Sequence, residues 1–521
     1  MSVERRAWTI ARLLMLLLVL VSLRAAYWQL WRGMRLQPVV LDPIAAQREY
    51  ARLRGDPTPA PGEEASAGMQ ENLVALPQPV IQRTVAMLAN IQRGAIFDNQ
   101  GRVLAADVGT PGDFTRIYNE LSLAHVLGYS SALRTGVNGL EATYNQELLG
   151  LNRPDTEIDR MLRRPIVGSN LVLTIDLEIQ QAAAGALGGR PGSVVVLDGK
   201  TGAVLAMTSA PVYDPNQILN PNYMTALPQG SLINRSTTAL FTPGSTWKTL
   251  ALIAALDTGQ VNERTVFDFG EPRTDSEGRT YYVYEVDGGV IPDPNHKENR
   301  LDLAMSFGYS ANAAFAKIGD DMDPDVMIEY ARRLGFSDPD YTRRFPLELP
   351  VLIPQLAADV ESIRTNNLLR AATAIGQGEL LTTPINMAMI VLSVLNDGAI
   401  PVPYLVESIR DPEGGVIRNQ PNKHLVRGIM NRRTARQVKE IMITSVEKGY
   451  ASGGAVPGAV VGGKTGTAQL GGNLAPHAWY IGFAERDGKS VVIAVVVENG
   501  GEGSRVAAPI FAQVAAVALE Q

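Results

Sequence analysis

The spacing of strand-like runs constrains this chain most. Residues 193–197 and 203–208 are β-like runs flanking Asp198-Gly199-Lys200-Thr201-Gly202, the composition of a hairpin turn. Three further runs, at 460–469, 478–484 and 491–497, come near the end, followed by an apolar helical pattern at 506–519. The long middle is helix-rich and includes helical patterns at 302–318 and 384–395. Two strands early and three late predict one antiparallel five-stranded sheet with terminal helices against it. The middle then forms an α-rich lobe, and a cleft opens where sheet meets helices. The expected fold class is α+β.

At 521 residues the chain has length for two or three domains. A net charge of −6 argues against a nucleic-acid binder, which would carry a basic footprint. With no cysteine, disulfides, thiol catalysis and thiolate metal sites drop out. The four histidines, His125, His296, His424 and His477, are widely separated and form no H-E-x-x-H, so a zinc hydrolase is not expected. No G-x-S-x-G occurs either, which speaks against an α/β-hydrolase.

Residues 13–23 are an uncharged apolar run that reaches spanning length when extended through Trp31, with Arg24 snorkelling to the interface. Tyr27, Trp28 and Trp31 then form an aromatic belt. A cleaved signal peptide is the rival, but no small-x-small site follows the run, and we read residues 1–34 as a cytoplasmic stub and an uncleaved anchor in the lipid bilayer. Residues 35–80 read as linker, the stretch 55–68 being rich in Pro, Gly and small polar residues. From 81 to 168 an ordered N-terminal region is expected, opened by a hairpin at 93–104 around Asp98-Asn99-Gln100-Gly101. Glu141, near Gly139-Leu140, is read as a structural carboxylate. Residues 169–521 form the main domain, beginning with a strand at 171–175 and a helix at 177–187.

Three polar motifs carry the chemistry. Ser245-Thr246-Trp247-Lys248 follows Pro243-Gly244 and precedes an apolar helical run, so Ser245 is expected at a helix N-terminus, where the dipole favours developing negative charge. Lys248, three residues on, shares its face. A serine hydroxyl needs a base to become a nucleophile, and a lysine is that base only if burial or neighbouring charge lowers its pKa. Ser310-Ala311-Asn312 offers a hydroxyl and an amide that both donate and accept. Lys464-Thr465-Gly466-Thr467 lies on a strand, where Gly466 leaves room for another backbone at the edge. Two look-alikes, Ser445-Val446-Glu447-Lys448 late in a helical pattern and Lys200-Thr201-Gly202 in the hairpin turn, are read as structural.

Taken in order, S-x-x-K, S-x-N and K-T-G make the chain resemble the penicillin-binding proteins, and within them the monofunctional class B transpeptidases that cross-link peptidoglycan. The segment Arg93-Gly94-Ala95-Ile96-Phe97-Asp98 resembles the family's non-catalytic pedestal, and Gly376-Gln377-Gly378-Glu379-Leu380 with Thr382-Thr383-Pro384 resembles a class B landmark. The resemblance implies the penicillin-binding and β-lactamase-like fold behind a pedestal and one transmembrane helix. It implies a D,D-transpeptidase acting on peptidoglycan stem peptides and acylated by β-lactam antibiotics, without metal or organic cofactor. Ser245 is then the nucleophile, Lys248 its base, Ser310 the proton relay, and Asn312 the holder of Lys248 and substrate. Lys464, Thr465 and Thr467 would bind the terminal carboxylate along Gly466. The amides of Ser245 and Thr467 would form the oxyanion hole.

A β-lactamase of one type needs E-x-x-x-N after the second motif, but Glu361 and Asn366 are five apart, and another type carries S-x-V where this chain has Asn312. A D,D-carboxypeptidase and an acylated β-lactam sensor are further alternatives, the sensor needing a cytoplasmic output domain. Too little chain separates Trp31 from residue 169 for a glycosyltransferase domain, so a separate SEDS-type membrane glycosyltransferase is the implied partner.

Overall fold

The computed structural model describes residues 90–131, 136–153, 165–419, 425–472 and 474–521. The expected anchor at 1–34, the linker at 35–80 and residues 81–89 lie outside the described residues. Among those described, no helix is long and apolar enough to cross a membrane.

The early hairpin and the three late strands join as expected. The sheet runs in the order Val204–Ala210, Gly192–Asp198, Lys489–Val497, His477–Arg486, Val460–Ala468, antiparallel throughout. Alternation along Gly192–Asp198 explains its two covered faces. Val194 and Val196 join a core with Phe511 and Val514 of the helix Gly503–Glu520 and with Ile179 and Ala183 of the helix Leu177–Leu187. Val195 and Leu197 join the larger core under the helix Pro384–Leu395. That helix is buried nearly all round, as its PINMAMIVLSVL sequence dictates. The strand Val460–Ala468, which carries the K-T-G motif, is left at the sheet's edge.

A second sheet has six strands, in the order Val416–Asn419, Val406–Arg410, Asn170–Leu173, Ile96–Phe97, Val103–Val108, Thr115–Tyr118. It draws on both sides of the boundary expected at 168/169. The strand Asn170–Leu173 pairs in parallel with Ile96–Phe97 and antiparallel with Val406–Arg410, far along the chain. Pairing between strands so far apart in the chain has no local sequence signature.

Glu141 anchors this region. Its fully buried carboxylate accepts from Arg93 Nε at 2.5 Å and Arg116 Nε at 2.7 Å, and both arginine side chains are themselves buried. Burial alone would raise its pKa, but the two guanidinium groups bring it below the ordinary carboxylate value. Nearby, Thr143 donates to the carbonyl of Glu348, whose carboxylate receives the amides of Leu405 and Val406. The α-rich lobe is thereby tied to the six-stranded sheet.

The helix expected over 302–318 is two helices, Leu303–Gly308 and Asn312–Asp321. Between them Ser310 N–H bonds Phe307 O and Ala311 N–H bonds Ser306 O, with Ser310 at φ +58°. This is a Schellman closure with serine in the left-handed position that glycine usually fills. Lacking glycine, the sequence hid the break.

Candidate active site

Ser245 sits in a 3-10 turn, Gly244–Trp247, and the α-helix proper, Lys248–Asp257, begins at Lys248. The expected helix N-terminus is therefore preceded by a tighter turn, closed by Thr246 Oγ1 donating to Pro243 O at 2.7 Å. Gly244, at φ +55°, lies so close to the K-T-G strand that a Cβ there would stand 3.0 Å from the Ala468 backbone. Trp479 Nε1 donates to Thr242 O, holding the turn from the neighbouring strand. Behind the turn, a Cβ on Gly376 would lie 1.7 Å from Gly244 O. The Gly376-Gln377-Gly378 segment thus backs directly onto the residue before Ser245.

Lys248 is fully buried. Its Nζ donates to Ser310 O at 2.7 Å, Ser310 Oγ at 3.2 Å and Asn312 Oδ1 at 2.7 Å. The left-handed turn at Ser310 aims both its carbonyl and its hydroxyl at the amine. A non-glycine residue in that conformation costs roughly 1–2 kcal/mol; here the hydroxyl is what glycine would lack. Burial lowers the Lys248 pKa to about 7, against partial opposition from the charge of Asp293. Above about pH 7 the amine is neutral and has two N–H groups, which serve Ser310 O and Asn312 Oδ1; the longer contact is then one in which the Ser310 hydroxyl can donate to the nitrogen.

Lys464 is equally buried, its Nζ donating to Thr465 O at 3.0 Å. Burial and then the charge of Lys248 hold it well below the ordinary lysine value. Each amine also faces an aromatic ring, Lys248 that of Phe315 at 5.6 Å and Lys464 that of Phe307 at 5.5 Å. These two phenylalanines belong to the site, yet in the sequence they pass for ordinary core residues around S-x-N. Gly466 is buried, and a Cβ there would meet Pro243 O and Trp479 at 2.9 Å. Thr467 is exposed and accepts from the Gly503 amide at 3.4 Å, at the start of the final helix. Ser245 and Asn312 are half-buried.

The candidate residues thus come together: Lys248 bonds Ser310 and Asn312, Lys464 lies in the same buried region beside Phe307, and the strand bearing Thr465, Gly466 and Thr467 packs at Gly466 against the carbonyl of Pro243, two residues before the half-buried Ser245. The look-alikes are built into other elements. Lys200 is in the turn capped by Asp198, and Ser445 is buried within the helix Arg432–Lys448. Chemically the set brings together a serine hydroxyl, two buried amines whose pKa values are lowered by burial, and a second hydroxyl and an amide bonded to one of those amines.

Comparison with known proteins bears on what this arrangement serves. Residues 192–516 match the family described as the penicillin binding protein transpeptidase domain. The chain is 31% identical over 466 residues to the peptidoglycan D,D-transpeptidase PbpA of Mycolicibacterium smegmatis, covering 82% of this chain and 89% of that one. With the peptidoglycan D,D-transpeptidase MrdA of Escherichia coli K12 it shares 26% identity, over 76% of this chain and 66% of that one. Among solved structures, it superposes on the imipenem acyl-enzyme complex of penicillin-binding protein A from Mycobacterium tuberculosis with a TM-score of 0.73. That match has 30% identity and covers 83% of this chain and 99% of the other.

Proposed function

We propose that Ser245 is the residue through which this chain, which belongs to the penicillin-binding protein transpeptidase family, does its chemistry. The chain is a class B penicillin-binding protein, a peptidoglycan D,D-transpeptidase of cell-wall synthesis. The observation that carries the assignment is the buried Lys248 amine, its pKa lowered to about 7, held by Ser310 and Asn312 three residues on from Ser245.

Ser245 Oγ attacks the penultimate D-alanine carbonyl of a stem peptide while its proton passes to Lys248. The tetrahedral oxyanion is received by the amides of Ser245 and Thr467, which the close approach of Gly244 to the Thr467–Ala468 backbone brings together. Ser310 delivers the proton to the leaving amine as the C–N bond breaks and D-alanine departs. An amine of a second stem peptide then attacks the acyl-enzyme and regenerates Ser245. Asn312 orients Lys248 and the peptide. Lys464, Thr465 and Thr467 hold the terminal carboxylate, whose charge compensates Lys464 when it is protonated. Gly466, whose open side is filled by Pro243, Thr246 and Trp479, lets the serine turn pack close against this strand instead of making room for the peptide. β-Lactams enter by the same attack. Mass spectrometry of the penicillin-treated protein should find the adduct on the peptide containing Ser245-Thr246-Trp247-Lys248; an adduct on Ser445 would sink the assignment.

We further infer that residues 1–34 anchor the protein in the lipid bilayer with the catalytic domain extracytoplasmic. In the same reading residues 81–168, which include the Glu141 cluster, form the pedestal. Glycan strands come from a separate SEDS-type membrane glycosyltransferase. Purified protein given lipid-linked disaccharide-pentapeptide should make no polymer alone and cross-linked polymer once a polymerase is added. Polymer from the lone protein would end this partner reading.

A further inference from the structure

Behind the second motif the structure buries a carboxylate that the roles above do not use. Asp293 ends the strand Gly289–Asp293, whose partner is Thr280–Val286, and its side chain is fully buried. Asp293 Oδ2 accepts from the amide of Ala313, the residue after Asn312, at 2.8 Å. It also lies 3.2 Å from His296 Nε2. The imidazole is held for this contact on two sides. Its other nitrogen lies 2.9 Å from Glu298 O, and the ring stacks on Tyr282 at 5.1 Å with Phe269 tilted against it at 4.4 Å.

The same strand end grips the S-x-N residues. Asn312 Nδ2 donates to Pro292 O at 3.0 Å, and Asn295 Nδ2 donates to Ser310 O at 2.7 Å. Tyr450 donates from its hydroxyl to Asn295 O, closing the segment from the far side. Ser310 O therefore sits between Lys248 and Asn295, and the segment 292–296 fixes the turn on which Lys248 depends.

Charge gives this clamp a second consequence. The titratable groups facing Lys248 and Asp293 are Lys464 on the Val460–Ala468 strand, His296 beside Asp293, and Tyr450 after the helix Arg432–Lys448. Of these, Asp293 brings the negative charge that acts on Lys248. An ammonium formed in a buried site without a partner is strongly disfavoured.

We propose that Asp293 is a positioning carboxylate for acylation: gripped by His296 and the Ala313 amide, it compensates the charge that Lys248 acquires on taking the Ser245 proton. Asp293 neither gains nor loses a proton. The proton moves from Ser245 Oγ to Lys248 Nζ as the Oγ–C bond forms and the carbonyl electron pair moves to oxygen. The inference rests on the assignment of Ser245 and Lys248 above.

The test is the acylation rate of the full chain by a fluorescent penicillin between pH 5 and 9. For Asp293→Asn the amine loses an anion that favours its charged form. The midpoint should move to lower pH by about one unit or more, and the plateau rate should fall about tenfold, the equivalent of one such unit. A purely structural defect would scale the amplitude and leave the midpoint in place, and that result would overturn the proposal. His296→Phe keeps the ring stack but removes the group that grips Asp293 Oδ2, and should also move the midpoint. Should Asp293→Asn not fold, an unmoved midpoint in His296→Phe overturns the proposal instead. An adduct away from Ser245 in the wild-type protein would mark failure of the underlying assignment; an adduct on Ser245 with unmoved midpoints would mark failure of this inference alone.

Discussion

Lys248→Met is expected to slow acylation by penicillin about 10²–10⁴-fold, the usual worth of a positioned general base, or about 2.7–5.5 kcal/mol of barrier. Methionine is unbranched and apolar, so it can occupy the fully buried stem without leaving an unpaired charge. What disappears is the proton acceptor beside Ser245 and the three hydrogen bonds to Ser310 and Asn312. The pH dependence separates the two losses. In the wild-type protein Lys248 titrates at about 7, and only the neutral amine accepts a proton. The rate should therefore climb as pH rises through about 7 and then level off. The methionine variant should lose this step along with the rate. Acylation by Lys248→Met within threefold of wild type would exclude Lys248 as the base.

Glu141→Ala should cost about 3–5 kcal/mol of stability, because removing one member of a buried ion cluster leaves Arg93 without its carboxylate and Arg116 with only Asp107, at 3.4 Å. Arg93 and Arg116 would keep their buried guanidinium groups with no carboxylate between them. Thermal unfolding should move down on the order of 10 °C, while the acylation rate per folded molecule stays near wild type. The sign with pH follows from the depressed carboxyl. Its folded pKa lies below its ordinary value, so its stabilisation is complete above the unfolded value of about 4.3 and is lost as pH falls through the folded one. The gap between Glu141→Ala and wild type should thus be widest near neutral pH and narrow in acid. A shift under 2 °C at pH 7 would mean that the cluster contributes little.

Local chemistry made much of this protein readable from sequence. The turn at Asp198-Gly199-Lys200-Thr201-Gly202, the alternating and apolar strand runs and the helix patterns at 177–187 and 384–395 are set by neighbours in the chain, and the folded elements follow them closely. The order of S-x-x-K, S-x-N and K-T-G likewise pointed to residues that the fold brings near one another, Lys248 with Ser310 and Asn312 among them. Glu141 was legible as structural, though not its two arginine partners.

Tertiary structure alone decided the rest, because it depends on contacts between distant residues. The pairing of Asn170–Leu173 with both Ile96–Phe97 and Val406–Arg410 is a long-range choice that no turn specifies. Ser310 takes a left-handed turn because the lobe holds its carbonyl between Lys248 and Asn295, not because its residue type asks for it. The chemistry of Lys248 is the clearest case. Its motif says that a lysine stands one turn from a serine, but a lysine there would ordinarily be protonated at neutral pH. Only the burial produced by packing beside Phe315 and Lys464 brings its pKa down to about 7, since desolvation exists only once the chain has closed around it.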